Sequence, residues 1–297
     1  MGYCLAGGIR ASIWTDVAQS IVMIIAMTIL LVMTTQSLGG LSSAVSKMGE
    51  VEGFLDLFPS DLLVPGVAGI VLFVVGWGFA GLSVIGQPHV MVRFMTLSDG
   101  KQMRSARAWY YLWFTLFYLI TTGVGLLSRI YLPDTAAFDS ELALPLMAQG
   151  VLPPVLVGLI LAGIFAATMS TADSLVLSCS SSVTHDLWPK KVEQTKHLKL
   201  ATALITLIAL GWALANQQSV FNLVIMAWSG LASAFASLLI MLAFGKNPSQ
   251  KRCITAMFTG LACALAWRFF GWHVYVYEGL PGILAGLIVF QIPWPRK

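Results

Sequence analysis

The sequence is poor in charged residues for a chain of its length. Lys, Arg, Asp and Glu together account for 10% of its 297 residues, whereas 58% are hydrophobic. Soluble domains carry about 25% charged residues, which keep their surfaces in contact with water. This shortage of charge excludes a soluble enzyme and predicts a polytopic α-helical membrane protein.

Sequence motifs for metal and nucleotide sites are also absent. The chain has neither HExxH nor a glycine-rich nucleotide loop, and its four histidines are scattered. Its net charge of +4 is concentrated in a few loops, which indicates membrane topology and not nucleic-acid binding. The cysteines show no CxxC or metal-ligand spacing, so we interpret them as small core residues: Cys4, Cys179, Cys253 and Cys263.

Long apolar windows are what the sequence has instead. About 20 apolar residues cross the ~30 Å hydrocarbon core of a bilayer as a helix. We therefore expect an all-α polytopic membrane protein with about eight spans in a single transmembrane domain over residues 1–297. The predicted spans are 12–35, 62–85, 108–132, 153–182, 200–215, 220–244, 254–270 and 279–294.

The loops between these windows alternate in charge. Basic residues cluster after the second, fourth and sixth windows and at the C-terminus, whereas acidic residues fill the other loops. Short loops rich in Lys and Arg remain cytoplasmic. Both termini are therefore expected in the cytoplasm, with the fourth span running from outside to inside. Four of the basic residues used here are Lys190, Lys191, Arg296 and Lys297.

The fourth window contains an unusually polar segment, AATMSTADS, at residues 166–174. On a helix, the Ala167 carbonyl and the Ser170 and Thr171 hydroxyls can converge, and such neutral oxygens suit a small hard cation. Ser and Thr in membrane helices also bond back to the previous turn and mediate close packing. The residue types alone leave both interpretations open.

A second polar segment, WGFAGLSVIGQPHVMVRF, follows the second window at residues 77–94. Its glycines and its proline weaken the helix, and a broken membrane helix frees backbone groups to bind a substrate. Trp77, Ser83 and Gln87 would supply an aromatic wall and hydrogen bonds for a small zwitterion. A simple helix end with glycines for packing is the alternative interpretation.

Four segments in order carry a resemblance to a known family. They are SIWTDVAQS at 12–20, GQPHVMVRFM at 86–95, AATMSTADS at 166–174 and FGWHVYVYEGLPGILAGLIVF at 270–290. Together they resemble the sodium/solute symporter family, and within it the sodium/proline symporters. The resemblance implies a partial LeuT-type fold, in which inverted repeats hold substrate and sodium at broken helices near the bilayer midplane.

The resemblance also implies roles for residues of both polar segments. The first window would be the fifth core helix and the fourth window the eighth. The implied sodium ligands are Ala167, Ser170 and Thr171. The predicted substrate-binding residues are Trp77, Ser83, Gln87 and Ser174, of which Ser174 falls where the proline symporters carry a cysteine lining the substrate pathway.

The predicted function is sodium-coupled symport of a small solute, proline first, across the cell inner or plasma membrane. Symport makes and breaks no bond, so no enzyme is expected; the partners would be Na⁺ as coupling ion, the amino acid and the lipid bilayer. The first four core helices are expected to be missing, so that transport would require those N-terminal helices. The alternatives are proton coupling through Asp173, a symporter-like sensory domain of a signalling protein, and a non-transporting remnant.

Overall fold

The computed structural model describes residues 2–62, 64–134, 136–187, 195–215 and 219–292. Within these ranges the long elements are all helices, and short 3₁₀ turns and one π-turn lie between some of them. The α-helices are α1 Gly2–Ser37, α2 Leu41–Gly49, α3 Val67–Leu82, α4 Pro88–Met95, α5 Met103–Tyr131, α6 Ala143–Val151, α7 Pro154–Ser181, α8 Thr195–Ala215, α9 Val220–Ala243, α10 Gln250–Phe269 and α11 Gly279–Gln291.

Six of the helical segments are long and apolar enough to cross a membrane. Between 6% and 33% of the most apolar window of each is buried inside the protein, so most of its apolar surface would meet lipid better than water. These segments confirm the all-α polytopic class, and they coincide with the first six predicted spans. They are Gly8–Ser37, Val67–Gly86, Gly100–Tyr131, Pro154–Asp186, Lys196–Ala215 and Val220–Ala243.

The last two predicted spans coincide with α10 and α11, which are not among these six segments. The α10 helix carries Lys251 and Arg252 in its first turn, and α11 has 13 residues. A total of eight spans therefore stays a prediction. The end of the eighth predicted span at residue 294 lies outside the described residues, as do Lys190, Lys191, Arg296 and Lys297.

The chain forms two compact units. The first unit comprises Met1–Asp56 with Leu97–Ala215, and the second comprises Leu57–Thr96 with Asn216–Lys297. Each unit is therefore assembled from two separate stretches of sequence. A single transmembrane domain over residues 1–297 remains a prediction.

In the first unit, α1 packs against α7. A Cβ at Gly163 of α7 would lie 3.0 Å from the Cβ of Ala26 on α1, so the two helices approach closely here. The C-terminal half of α1, around Leu30, shares a core with the N-terminal half of α7, around Ile160. The two helices consequently run antiparallel.

In the second unit, glycines let α9, α10 and α11 approach one another. A Cβ at Gly260 of α10 would clash with the Ser233 carbonyl of α9, and one at Gly282 of α11 would clash with the Ser233 side chain. Small residues at such positions allow backbone contact between membrane helices. A three-helix layer results, with Ala232, Ala236 and Ile283 at its core.

The second unit also contains a helix break, at the place where the sequence predicts one. The α3 helix ends at Leu82, a 3₁₀ turn spans Ser83–Gly86, and Gln87 is extended with φ −92° and ψ 108°. Pro88 then begins α4, because its fixed φ suits the first turn of a helix while its missing N–H disfavours the turns before it. The turn packs on α9, since a Cβ at Gly86 would lie 2.5 Å from the Cα of Ala232.

Candidate functional site

Three oxygens of α7 converge as the sequence predicts. The Ser170 hydroxyl donates to the Ala167 carbonyl at 2.9 Å, and the Thr171 hydroxyl donates to the same carbonyl at 3.3 Å. Around a hard cation with metal–oxygen distances of about 2.4 Å, neighbouring ligand oxygens lie roughly 3 Å apart. The spacing therefore fits such an ion, and it is equally the back-bonding that Ser and Thr make in ordinary membrane helices.

The segment that carries these three oxygens continues the face of α7 that contacts α1 within the first unit. Gly163, Ala167, Ser170 and Ser174 recur at the helical spacing of one face, and Gly163 of this face contacts α1. Ser174 is buried and donates to the Ser170 carbonyl at 2.6 Å. Thr171 lies one step around the helix and is exposed.

A carboxylate that the sequence analysis did not assign lies level with this segment. Asp16 comes ten residues before Ala26, and Asp173 comes ten residues after Gly163, so both lie ~15 Å along their antiparallel helices from the same contact. Both carboxylate oxygens of Asp16 are buried, and Asp173 is fully buried. A carboxylate inside an apolar window was the signal that could have identified Asp16.

The second unit contains a cavity of about 550 Å³. Aromatic side chains form much of its lining, including Phe73, Phe221 and Trp77, and Trp77 is half exposed. The cavity also carries charge at Arg268 and Glu278. Of the predicted substrate-binding residues, Trp77 is the one that lines this cavity.

Ser83 and Gln87 lie behind the cavity lining and bond to protein groups. The Ser83 hydroxyl donates to the Phe79 carbonyl at 2.9 Å and lies 2.9 Å from the Tyr277 hydroxyl. The Gln87 amide nitrogen donates to the Ser83 carbonyl at 3.1 Å and to the Trp228 carbonyl at 3.2 Å. These bonds hold the helix break against α9. Ser174, the fourth predicted residue, belongs to the first unit.

Tyr277 connects the cavity to the helix break. Because the proton of Ser83 is committed to Phe79, the Tyr277 hydroxyl donates in the bond between Ser83 and Tyr277. Burial, with a further contribution from the Glu278 charge, raises the pKa of Tyr277 to about 12. The hydroxyl therefore stays protonated near neutral pH and keeps this bond.

A buried carboxylate anchors the wall of the cavity. Glu278 is 2% exposed; its Oε1 accepts from the Ser229 hydroxyl at 3.0 Å and from the Arg268 guanidinium at 2.6 Å. The Trp267 indole donates to the Val276 carbonyl at 3.0 Å, which ties down the loop just before Glu278. No binding role was predicted for Arg268 or Glu278 from the sequence, because one lies near the end of a predicted span and the other lies in a predicted loop.

Comparison with known proteins identifies the family. The model of the sodium:solute symporter family matches residues 1–260. The chain belongs to the sodium:solute symporter family. It is similar to the high-affinity proline transporter of Bacillus subtilis strain 168, with 28% identity over 97% of this chain and 61% of that protein.

Two further relatives have a similar sequence identity to this chain. The sodium/proline symporter of Escherichia coli K12 is 28% identical over 98% of this chain and 59% of its own length. Sodium/proline symporter 2 of Staphylococcus saprophyticus is 30% identical over 96% of this chain and 58% of its own length. This chain therefore spans about three fifths of the length of the curated relatives it matches.

Membership of the symporter family confirms the resemblance found in the sequence. With the six apolar helical segments, it makes the chain a multi-pass membrane protein whose family couples solute movement to sodium.

Proposed function

We propose that this chain, as part of a longer protein, takes part in sodium-coupled symport of proline or a related amino acid. The observation that carries the proposal is the convergence of the Ala167 carbonyl with the Ser170 and Thr171 hydroxyls on α7. Neutral oxygens suit Na⁺, which needs neither a thiolate nor an imidazole ligand. The relatives named as sodium/proline symporters supply the expectation for the solute.

The position of Asp16 along α1 supports the presence of a cation near Ser170. A carboxylate buried beside neutral oxygens lowers the electrostatic cost of a cation in a medium of low dielectric constant. Asp16 and the fully buried Asp173 lie level with each other on two packed helices. We propose that their charge helps to hold Na⁺ close to Ser170.

Three oxygens do not complete a cation site. Hard cations of this size take about six oxygen ligands. We propose that helices equivalent to the first four core helices supply the remaining ligands and part of the substrate site. The complete site would lie in the cell inner or plasma membrane, with both chain termini cytoplasmic.

Transport in this proposal follows from differential binding. Sodium favours the outward-open state, the amino acid binds that state, and each ligand tightens the binding of the other by the same factor. One positive charge moving inward gains about 2.3 kcal/mol per 100 mV of membrane potential. That energy would accumulate the amino acid against its gradient.

The test is uptake of labelled L-proline into proteoliposomes, by the chain alone and together with the first helices of the Bacillus subtilis relative. Ser170→Ala with Thr171→Ala should abolish the sodium-dependent part of the uptake. Thr168→Ala is the matched control, because Thr168 bonds back to Ile164 and Phe165 in the same way but makes no bond to the Ala167 carbonyl. An equal loss of sodium-dependent uptake in the double variant and in Thr168→Ala would contradict the proposed sodium site.

Proton coupling is a second candidate, favoured by the complete burial of Asp173. In that case a pH gradient drives uptake without sodium, and Asp173→Asn abolishes it while the Ser170 and Thr171 variants keep it. If no amino acid enters under either gradient, a sensory or non-transporting role replaces both candidates.

A further inference from the structure

The charged groups of the cavity in the second unit have unused hydrogen-bonding capacity. Both partners of Glu278 bind its Oε1, and in the described part of the chain no residue bonds Oε2. Buried carboxylates are normally bonded at both oxygens, because an unmet charge in the interior is costly. Glu278 lines the cavity, and Oε2 holds the remaining acceptor capacity of its carboxylate.

Arg268, the partner of Glu278, also has unused hydrogen-bonding capacity. A guanidinium has five N–H donors. Among the described residues, Arg268 bonds to Glu278 alone, and its side chain is 25% exposed and lines the cavity. Several of its donors are therefore available to an anionic group, and a planar carboxylate matches their geometry.

The charges that line the cavity favour a zwitterionic ligand over a simple anion. Asp61 and Glu278 contribute two carboxylates against the single guanidinium of Arg268. A simple anion would meet net repulsion, whereas a zwitterion can place each of its charges against an opposite one. The cavity of about 550 Å³ lies in the range of small-molecule sites, and its aromatic walls suit a compact apolar side chain.

We propose that this cavity is a binding site for a zwitterionic amino acid with a small apolar side chain. Its carboxylate binds Arg268, its ammonium group binds Oε2 of Glu278, and its side chain packs between Phe73, Trp77 and Tyr277. The ligand dipole thus lies antiparallel to the ion pair. This site rests on the proposed amino-acid transport and gives it a second point of contact with the substrate, apart from the helix break.

The cavity offers a steric test that leaves its charges untouched. Gly76 lines the cavity, and a Cβ there would meet nothing within 4 Å, so a larger side chain can enter the space without disturbing the backbone. Gly78 is the matched control, because its Cβ is equally unhindered and it does not line the cavity. Both glycines lie on α3, so the helix changes in the same way.

The experiment measures binding of labelled L-proline to the purified chain in lipid nanodiscs, without a sodium gradient. We expect Gly76→Leu to weaken binding at least about tenfold and Gly78→Leu to leave it unchanged. Pyrrolidine, which lacks the carboxylate, and tetrahydro-2-furoate, which lacks the ammonium group, should each compete at least about tenfold less well than L-proline.

A charge variant complements the steric one. Arg268→Gln should weaken L-proline binding to a similar extent, whereas Arg252→Gln, which removes the same charge near the other end of α10, should not. Equal binding by the wild type and Gly76→Leu would overturn the inference, even if uptake stays sodium-dependent and sensitive to Ser170. Absence of L-proline binding to the wild type would overturn it as well, while the uptake assay separately decides the proposed function.

Discussion

The two units of the molecule build their polar groups in opposite ways. In the first unit, Ser170, Thr171 and Ser174 are neutral and bond to carbonyls three or four residues earlier on their own helix. In the second unit, Glu278 is charged and bonds to a residue ten positions away and to one 49 positions away. The first arrangement is local and the second depends on three packed helices. The difference separates a proposed ion-binding pattern that one helix encodes from a charged cavity that exists only after folding.

Of the predicted changes, removal of Glu278 should cause the largest loss of stability. Glu278→Ala leaves Arg268 without its carboxylate, while Ser229 keeps the Met226 carbonyl as an acceptor. Removing one partner of a buried pair costs about 3–5 kcal/mol, and partial exposure of Arg268 places the cost at the lower end. The measurement is the midpoint of thermal unfolding in detergent. Glu52→Ala, in an exposed position of the first unit, is the control and should shift the midpoint little. A similar midpoint for both variants would mean that the pair does not stabilise the second unit.

A smaller loss of stability is expected for Ser229→Ala, and it should distinguish Ser229 from Ser170. Ser229→Ala removes a buried donor to Glu278 and should lower the free energy of unfolding by about 1–3 kcal/mol. Ser170→Ala removes a bond to its own helix and improves helix propensity, so its effect on stability should stay within about 0.5 kcal/mol. Denaturant unfolding of the two variants side by side gives the comparison. If Ser170→Ala destabilises as much as Ser229→Ala, the polar groups of the first unit are structural and the contrast fails.

The smallest expected effect is a loss of stability at alkaline pH that arises from Tyr277 in the second unit. The pKa of Tyr277 is raised from 10 to about 12 by burial, so the folded chain keeps a proton that the unfolded chain loses above pH 10. Stability from this group is therefore fully present below pH 10 and falls as the pH rises toward 12. Unfolding midpoints at pH 9 and about pH 11 should drop less for Tyr277→Phe than for the wild type. An identical drop would assign the alkaline loss to other groups.

Much of the fold follows from the sequence, since apolar windows of about 20 residues predict membrane helices directly. Six windows became such helical segments, and the helix break near Gln87 lies where the glycines and Pro88 predict it. The roles of individual residues at that break were less predictable. Ser83 and Gln87 bond to Phe79, Tyr277 and Trp228, and the identity of those partners depends on how α9 and the loop before α11 pack.

What the sequence by itself determined is the membrane class and the convergence of oxygens on α7. An α-helix brings residues i, i+3 and i+4 together, so Ala167, Ser170 and Thr171 meet whatever surrounds them. Tertiary structure alone decided that Asp16 lies level with Asp173, and that Arg268, Ser229 and Glu278 meet at a cavity. These contacts require close approach of helices at Gly163 and Gly260, and such an approach depends on the surfaces of several helices at once, which no local spacing encodes.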